Sequence, residues 1–202
     1  MKRTSLLVLA GLMVAGALFG CKGGDAPAAT AGDSGAPKAT GGSSAPATTA
    51  ALTVEEYQAK VESMEKAMNA EMETHNADMA EAQKNAADPA KKAEAMNKIA
   101  EIFTKVKDKA ATLIAEMSAV NPPAELKEFH EISKESSGQL MTSMGAMIDA
   151  FKTGDEAKVK EATESMGKLQ MEGEEKRMKA LEAAGFDVEA YKKDKKLVKK
   201  AK

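Results

Sequence analysis

The fold is decided by residues 96–120, MNKIAEIFTKVKDKAATLIAEMSAV, which carry the most regular apolar pattern in the chain. Apolar residues recur there at alternating steps of three and four, at Met96, Ile99, Phe103, Val106, Ala110, Leu113, Met117 and Val120. This spacing places all of them on one face of an α-helix. Ile102 and Ile114 widen the apolar face, which favours a helix packed in a bundle core over a two-stranded coiled coil.

A first helix is predicted to begin just after Thr53. Thr53 and Glu56 have the spacing of a capping box, and Leu52 and Tyr57 occupy the positions of a hydrophobic staple. The apolar face that follows has nearly heptad spacing and consists of Val54, Tyr57, Val61, Met64, Met68, Met72, His75, Met79 and Ala82.

Three short breaks separate four predicted long helices. The first helix should end near residues 86–87, and Asp88 should cap the second, with Pro89 at its first position. Residues 121–123, NPP, end the second helix, because proline cannot continue a helix but can open one. Residues 154–155, GD, are predicted to end the third helix and cap the fourth.

The third and fourth predicted helices are less regular. The third runs from about residue 122 to residue 153, and its apolar face is interrupted by residues 133–138, SKESSG. This small, polar stretch predicts either the close approach of a neighbouring helix or a small polar cavity. Gly167 and Gly173 interrupt the fourth helix, and residues 184–186, AGF, are typical of a Schellman end.

The fold class predicted from these patterns is all-α. No alternating runs of β-branched residues occur, tryptophan is absent and aromatic residues make up 3% of the chain. Residues 88–95, DPAKKAEA, and residues 155–162, DEAKVKEA, match at five of eight positions. That match fits either two copies of a helical hairpin or convergence in a chain rich in Ala, Lys and Glu. Residues 52–186 are therefore predicted to form an antiparallel bundle of four long helices.

The N-terminus has the layout of an export signal. Lys2 and Arg3 precede an uncharged apolar run over residues 6–18, which is shorter than the roughly 20 residues of a membrane-spanning helix. The next residues include Cys21, the only cysteine in the chain, so no disulfide and no cysteine metal site is expected. An uncleaved signal anchor with an incidental cysteine is the alternative interpretation.

The sequence Leu18-Phe19-Gly20-Cys21 resembles the lipobox of bacterial lipoproteins. The resemblance implies that residues 1–20 are a signal peptide and that Cys21 carries a covalent lipid as the first residue of the mature chain. It also implies a location outside the cytoplasm, and Lys22 after the cysteine favours the outer membrane. The membrane would then be a partner through several acyl chains, which together bind it stably. No other cofactor is expected.

A low-complexity segment follows the cysteine. Residues 21–51 consist mostly of Gly, Ala, Pro, Ser and Thr and hold no large apolar side chain beyond the cysteine. Such a segment cannot bury enough apolar surface to offset its ordering entropy, which predicts a disordered tether. A tether of this length reaches roughly 30 Å, so the bundle could stand away from the membrane.

Charge is distributed unevenly along the chain. The whole chain carries −2, the C-terminal tail of residues 187–202 carries +4, and residues 21–186 carry −8. An acidic body argues against a nucleic-acid partner. Asp187 is predicted to cap a short helix in the tail. The rest of the tail could bind an anionic membrane, an acidic partner or the acidic body, or it could be a frayed, solvated end.

Motifs for catalysis are missing from the sequence. It contains no Gly-rich phosphate loop, no Gly-x-Ser-x-Gly and no His-Glu-x-x-His. Aspartate and glutamate fall mainly at helix spacing from lysine, which is typical of solvated faces. We therefore expect a binding or structural module rather than an enzyme, with an unidentified protein or cell-envelope partner.

One alternative function is copper handling. Met72, His75 and Met79 share one face of the first predicted helix, and thioether and imidazole ligands suit copper. Methionine also serves as flexible packing in a core that is poor in aromatic residues, which is the simpler explanation. The other histidine, His130, should lie roughly 20 Å away along the bundle, so the two histidines should not share a site.

Overall fold

The structure is a computed structural model, and it describes residues 50–200. The predicted signal peptide, Cys21 and nearly all of the predicted tether lie outside the described residues, as do residues 201–202. Five α-helices follow one another: α1 (Val54–Asn85), α2 (Lys92–Ser118), α3 (Lys127–Thr153), α4 (Glu156–Ala183) and α5 (Val188–Asp194). A 3₁₀ turn, Ala124–Leu126, precedes α3. Residues 50–200 contain no β-strand, so the all-α prediction is confirmed.

Helices α1 to α4 form an up-and-down bundle in which each packs against the next. The main core runs through the bundle and includes side chains from all four helices, among them Met68, Phe103, Phe151 and Met166. A second cluster fills one end, where α1 and α3 begin and α4 finishes. It contains Tyr57, Leu126, Phe129, Ala180, Leu181, Phe186 and Tyr191, so α5 closes this end of the bundle. None of the helices in the described part is both long and apolar enough to span a bilayer.

The apolar face predicted for residues 96–120 is the central seam of the bundle. Six of its eight positions are buried, at Met96, Ile99, Phe103, Val106, Ala110 and Leu113. The last two, Met117 and Val120, are half-buried; Met117 packs against both the main core and the second cluster, and Val120 packs against the second cluster. The seam therefore passes from one cluster to the other as α2 reaches its C-terminal end.

Local capping chemistry positions several of the helix ends as predicted. The Glu56 amide donates to Thr53 Oγ1 at 3.2 Å, and the Thr53 amide donates to Glu56 Oε2 at 2.8 Å, which completes the capping box. Gly154 ends α3 with a left-handed φ of 65°, and Asp155 Oδ1 accepts the amides of Ala157 and Lys158 at 3.1 Å each.

The starts of α2 and α3 differ from the sequence predictions. Asp88 does not cap α2, because Lys91 donates its amide to the Asp88 carbonyl at 3.1 Å and so forms a tight turn. The helix begins only at Lys92, and the Asp88 carboxylate serves the turn by accepting the Ala90 amide at 3.0 Å. Helix α3 likewise begins after its prolines, since Pro123 has an extended ψ of 146° and a 3₁₀ turn intervenes.

The described part of the basic tail, residues 187–200, folds back onto the body of the protein. The Leu197 amide donates to Gln58 Oε1 on α1 at 3.0 Å, and Lys199 Nζ lies 3.1 Å from Glu125 Oε1. Of the placements that the sequence leaves open, the tail thus takes the one against the protein's own acidic body. Opposite charge and a few backbone contacts hold it there.

Candidate functional site

A cavity of about 50 Å³ opens among α1, α2, α3, α4 and α5 near the second cluster. We call it the Arg177 cavity. Its apolar lining consists of Val61, Met64, Ile114, Met117 and Phe129. Its polar lining consists of Tyr57, Ser133, Lys134, Ser137, Arg177 and Tyr191. A water molecule needs roughly 10–15 Å³ of such space, so the cavity has room for a small molecule of a few heavy atoms.

One of the two cationic groups that line the cavity is the Arg177 side chain on α4, and the other is Lys134 on α3. Arg177 is half-buried, and burial lowers the pKa of its guanidinium while nearby Tyr191 and Glu174 raise it. The group remains charged, because arginine is not deprotonated in proteins at ordinary pH. Within residues 50–200, no carboxylate lies at ion-pair distance from it. A half-buried guanidinium without an ionic partner is well placed to receive an anion.

A buried polar pair fixes one wall of the cavity. Tyr57 Oη and His130 Nδ1 lie 3.2 Å apart, within hydrogen-bond distance, and both residues are almost fully buried. Burial lowers the pKa of His130 and raises the pKa of Tyr57, so both side chains are neutral near pH 7. The pair joins the first turns of α1 to the first turns of α3. Tyr57 precedes His75 by 18 residues, or about 27 Å of helix, so the two histidines are far apart as predicted.

The small, polar stretch of α3 fulfils both of its predicted roles. Ser136 is buried against α4 at Gly173, where a Cβ would lie 2.7 Å from Ser136 Oγ. This contact brings the two helices close together. Ser133 and Ser137, one turn apart, line the Arg177 cavity instead.

Glu65 on α1 departs from the expectation that the acidic residues lie on solvated faces. Its Oε1 is buried and has no hydrogen-bond partner among the described residues. Burial raises the pKa of Glu65 to about 7, with a smaller upward effect from Glu62 and a downward effect from Lys195. Glu65 lines a gap of about 10 Å³ beneath Lys195 and Leu197, so the returning tail is what covers it.

We expect Glu65→Gln to change how stability depends on pH. The folded state holds the Glu65 proton up to about pH 7, whereas the unfolded chain releases it near the ordinary pKa of 4.5. Wild-type stability is therefore lost relative to the variant as the pH rises from 4.5 to 7, and the variant should be the more stable protein above pH 7. Urea midpoints measured at both ends of this range test the prediction. Glu73→Gln, at an exposed position of α1, is the control, and equal pH profiles for the two variants would contradict it.

The residues considered for copper lie along the edge of the main core. Met72 and Met79 are half-buried and pack against that core, and His75 Nε2 lies 3.1 Å from Glu71 Oε1. Core packing and one hydrogen bond within the same helix account for where these side chains lie. Copper binding therefore stays a prediction. Among residues 50–200, no group of three His, Cys, Asp or Glu side chains is arranged to hold a metal ion.

Neither Arg177 nor Glu65 was predicted from the sequence as a functional residue. A signal for Arg177 exists in the composition, because every basic residue after Arg3 except Arg177 is a lysine or a histidine. The chain has only two tyrosines, Tyr57 and Tyr191, and both line the same cavity. No periodic pattern distinguishes Glu65 from its exposed neighbours.

Comparison of this chain with known protein families, with curated proteins and with solved structures finds no match.

Proposed function

We propose that this protein is a bacterial lipoprotein, held at a membrane outside the cytoplasm by a lipid on Cys21, with a binding or structural role rather than a catalytic one. The observation that carries the proposal is the only cysteine of the chain, which follows Leu18-Phe19-Gly20 directly after a basic and an apolar segment. Lys22 favours the outer membrane. Residues 22–51 serve as the tether between the lipid and the bundle.

The described residues support the binding part of this proposal. The Arg177 cavity lies where the main core meets the second cluster, since its lining includes Met64 of the former and Tyr57 and Phe129 of the latter. Concave sites with an apolar lining and a few convergent polar groups are typical of small-molecule binding. The Arg177 cavity fits this description, because five apolar side chains line it together with hydroxyl groups and a guanidinium.

We expect Cys21→Ser to move the protein out of the membrane fraction. The cysteine sulfur is the proposed attachment point of the lipid, and serine cannot replace it in the lipidation reaction. Expression in a bacterium, a high-salt wash and fractionation measure the outcome. Labelled palmitate should be incorporated by the wild-type chain and not by the variant.

A matched control is Ser34→Ala, which changes a residue of the proposed tether and should leave the protein in the membrane fraction. The proposal fails if Cys21→Ser stays with the membranes after the wash and is as long as the precursor. That result would instead identify residues 6–18 as part of an uncleaved anchor.

A further inference from the structure

The lining of the Arg177 cavity has a charge opposite to that of the protein body. Among the lining residues that the structure describes are two cations, Arg177 and Lys134, and no carboxylate. Residues 21–186 as a whole carry −8. In a body with a net negative charge, a concavity lined by cations is a place where an anion meets attraction instead of the repulsion expected from the protein as a whole.

The two cations are not equally available to a ligand. Lys134 Nζ lies 3.1 Å from both carboxylate oxygens of Glu131, one turn away on α3. Arg177 forms no ion pair with a carboxylate within the described residues, and the groups that raise its pKa are Tyr191 and, to a smaller extent, Glu174. The guanidinium presents a planar fork of donors that matches the two oxygens of a carboxylate.

The remainder of the lining favours an apolar chain beside the anionic group. Val61, Met64 and Ile114 contribute aliphatic or thioether surface, and Phe129 contributes an aromatic ring. Methionine adapts to ligands of different shape, because its side chain is unbranched and flexible. A phosphate dianion would leave this apolar surface unused and would have a single available cation to neutralise it.

We propose that the Arg177 cavity binds a small monocarboxylate with a short apolar chain, with the carboxylate against the Arg177 guanidinium and the chain among Val61, Met64 and Phe129. The volume of about 50 Å³ limits the chain to a few carbon atoms. This inference rests on the binding role proposed above and names its ligand class. It does not depend on the anchor, since the residues that carry it, Arg177, Val61, Met64 and Phe129, lie on helices α1, α3 and α4.

Arginine side-chain NMR can test the proposal directly. In the full chain with Arg3→Lys, Arg177 is the only arginine, so ¹⁵N-arginine labelling gives a single Nε–H signal from the cavity. The protein in neutral detergent is titrated with sodium butyrate, and we expect a saturable shift of that signal. Butanol and sodium chloride, titrated in the same way, should give no saturable shift. A response to butanol equal to that of butyrate would overturn the role of the carboxylate.

Tyrosine fluorescence provides a second readout that is valid in every variant. The chain has no tryptophan, and both of its tyrosines line the cavity. Arg177→Met should weaken the apparent Kd for butyrate by about tenfold or more, because hydrogen bonds to a charged donor are lost. Lys179→Met, at an exposed position of the same helix, should bind butyrate like the wild type. Equal binding by the Arg177 and Lys179 variants, with both folded by circular dichroism, would overturn the proposal.

Titration with inorganic phosphate tests whether the cavity binds phosphate instead of a monocarboxylate. A saturable shift with phosphate and none with butyrate would overturn the monocarboxylate assignment in favour of a phosphate site. If no probe shifts the Arg177 signal, the cavity has no anion-binding role. In either case the fractionation of Cys21→Ser still reports on the anchor separately, so failure of the ligand and failure of the anchor are distinguishable.

Discussion

Replacing Phe151 by alanine is expected to lower the free energy of unfolding by about 3–5 kcal/mol. Phe151 is 1% exposed and lies in the last turns of α3, where its ring stacks on Phe103 of α2 with centroids 5.5 Å apart. Alanine removes the apolar surface of the ring and its aromatic contact, and it leaves a cavity that the surrounding helices can fill only in part. A loss of this size is a large fraction of the stability of an ordinary domain.

Urea unfolding followed by far-UV circular dichroism measures this change, since the helices provide the signal. Met171→Ala is the control, because Met171 is also a large apolar residue on a helix but is 66% exposed. Met171→Ala should change the free energy of unfolding by no more than about 0.5 kcal/mol. A similar, small change in both variants would show that the contact between Phe103 and Phe151 does not belong to the core.

The helix ends that the sequence predicted correctly are those set by local chemistry. Thr53, Asp155 and Asp187 each cap a helix by accepting amides that lie two or three residues later in the chain. Gly185 belongs to a Schellman end in which the Phe186 amide donates to the Leu181 carbonyl at 2.9 Å. Hydrogen-bond partners that are this close in the sequence can be predicted from residue spacing alone.

The beginning of α2 shows where spacing is insufficient. Asp88 and Asp155 begin matching segments, yet only Asp155 caps its helix. At Asp88 the chain forms a turn before the helix, because the Lys91 amide bonds to the Asp88 carbonyl. A capping residue offers a way to begin a helix, but the connection between two packed helices decides whether it is used.

Only the serines of residues 133–138 pointed to a cavity in advance, because the other residues of the candidate site come from distant parts of the chain. Tyr57, Ser133 and Arg177 meet only once the helices pack, and Glu65 is covered only because the tail returns over α1. Helical periodicity describes which face of one helix is apolar. It contains no information on which polar residue of that helix will be enclosed by another.

Gly173→Ala is expected to destabilise the protein, although alanine is the better helix former. Helix propensity by itself would raise the free energy of unfolding by about 0.5–1 kcal/mol when alanine replaces glycine in α4. However, the new methyl group would lie 2.7 Å from Ser136 Oγ and 3.0 Å from Ser136 Cβ, closer than such atoms approach one another. Separating α3 from α4 to relieve that contact costs about 1–3 kcal/mol, the usual range for overpacking. We expect a net loss of about 1–2 kcal/mol of unfolding free energy.

Gly167→Ala in the same helix is the matched control, because a Cβ at Gly167 would meet no atom within 4 Å. The free energy of unfolding of that variant should rise by about 0.5–1 kcal/mol, so the two substitutions should change stability in opposite directions. Adding Ser136→Ala to Gly173→Ala removes the nearer of the two contacting atoms and should restore part of the loss. Urea unfolding of the wild type, Gly173→Ala, Ser136→Ala and the double variant gives the coupling energy between positions 136 and 173. A stabilising effect of Gly173→Ala equal to that of Gly167→Ala would mean that α3 and α4 do not approach as closely as the structure has them.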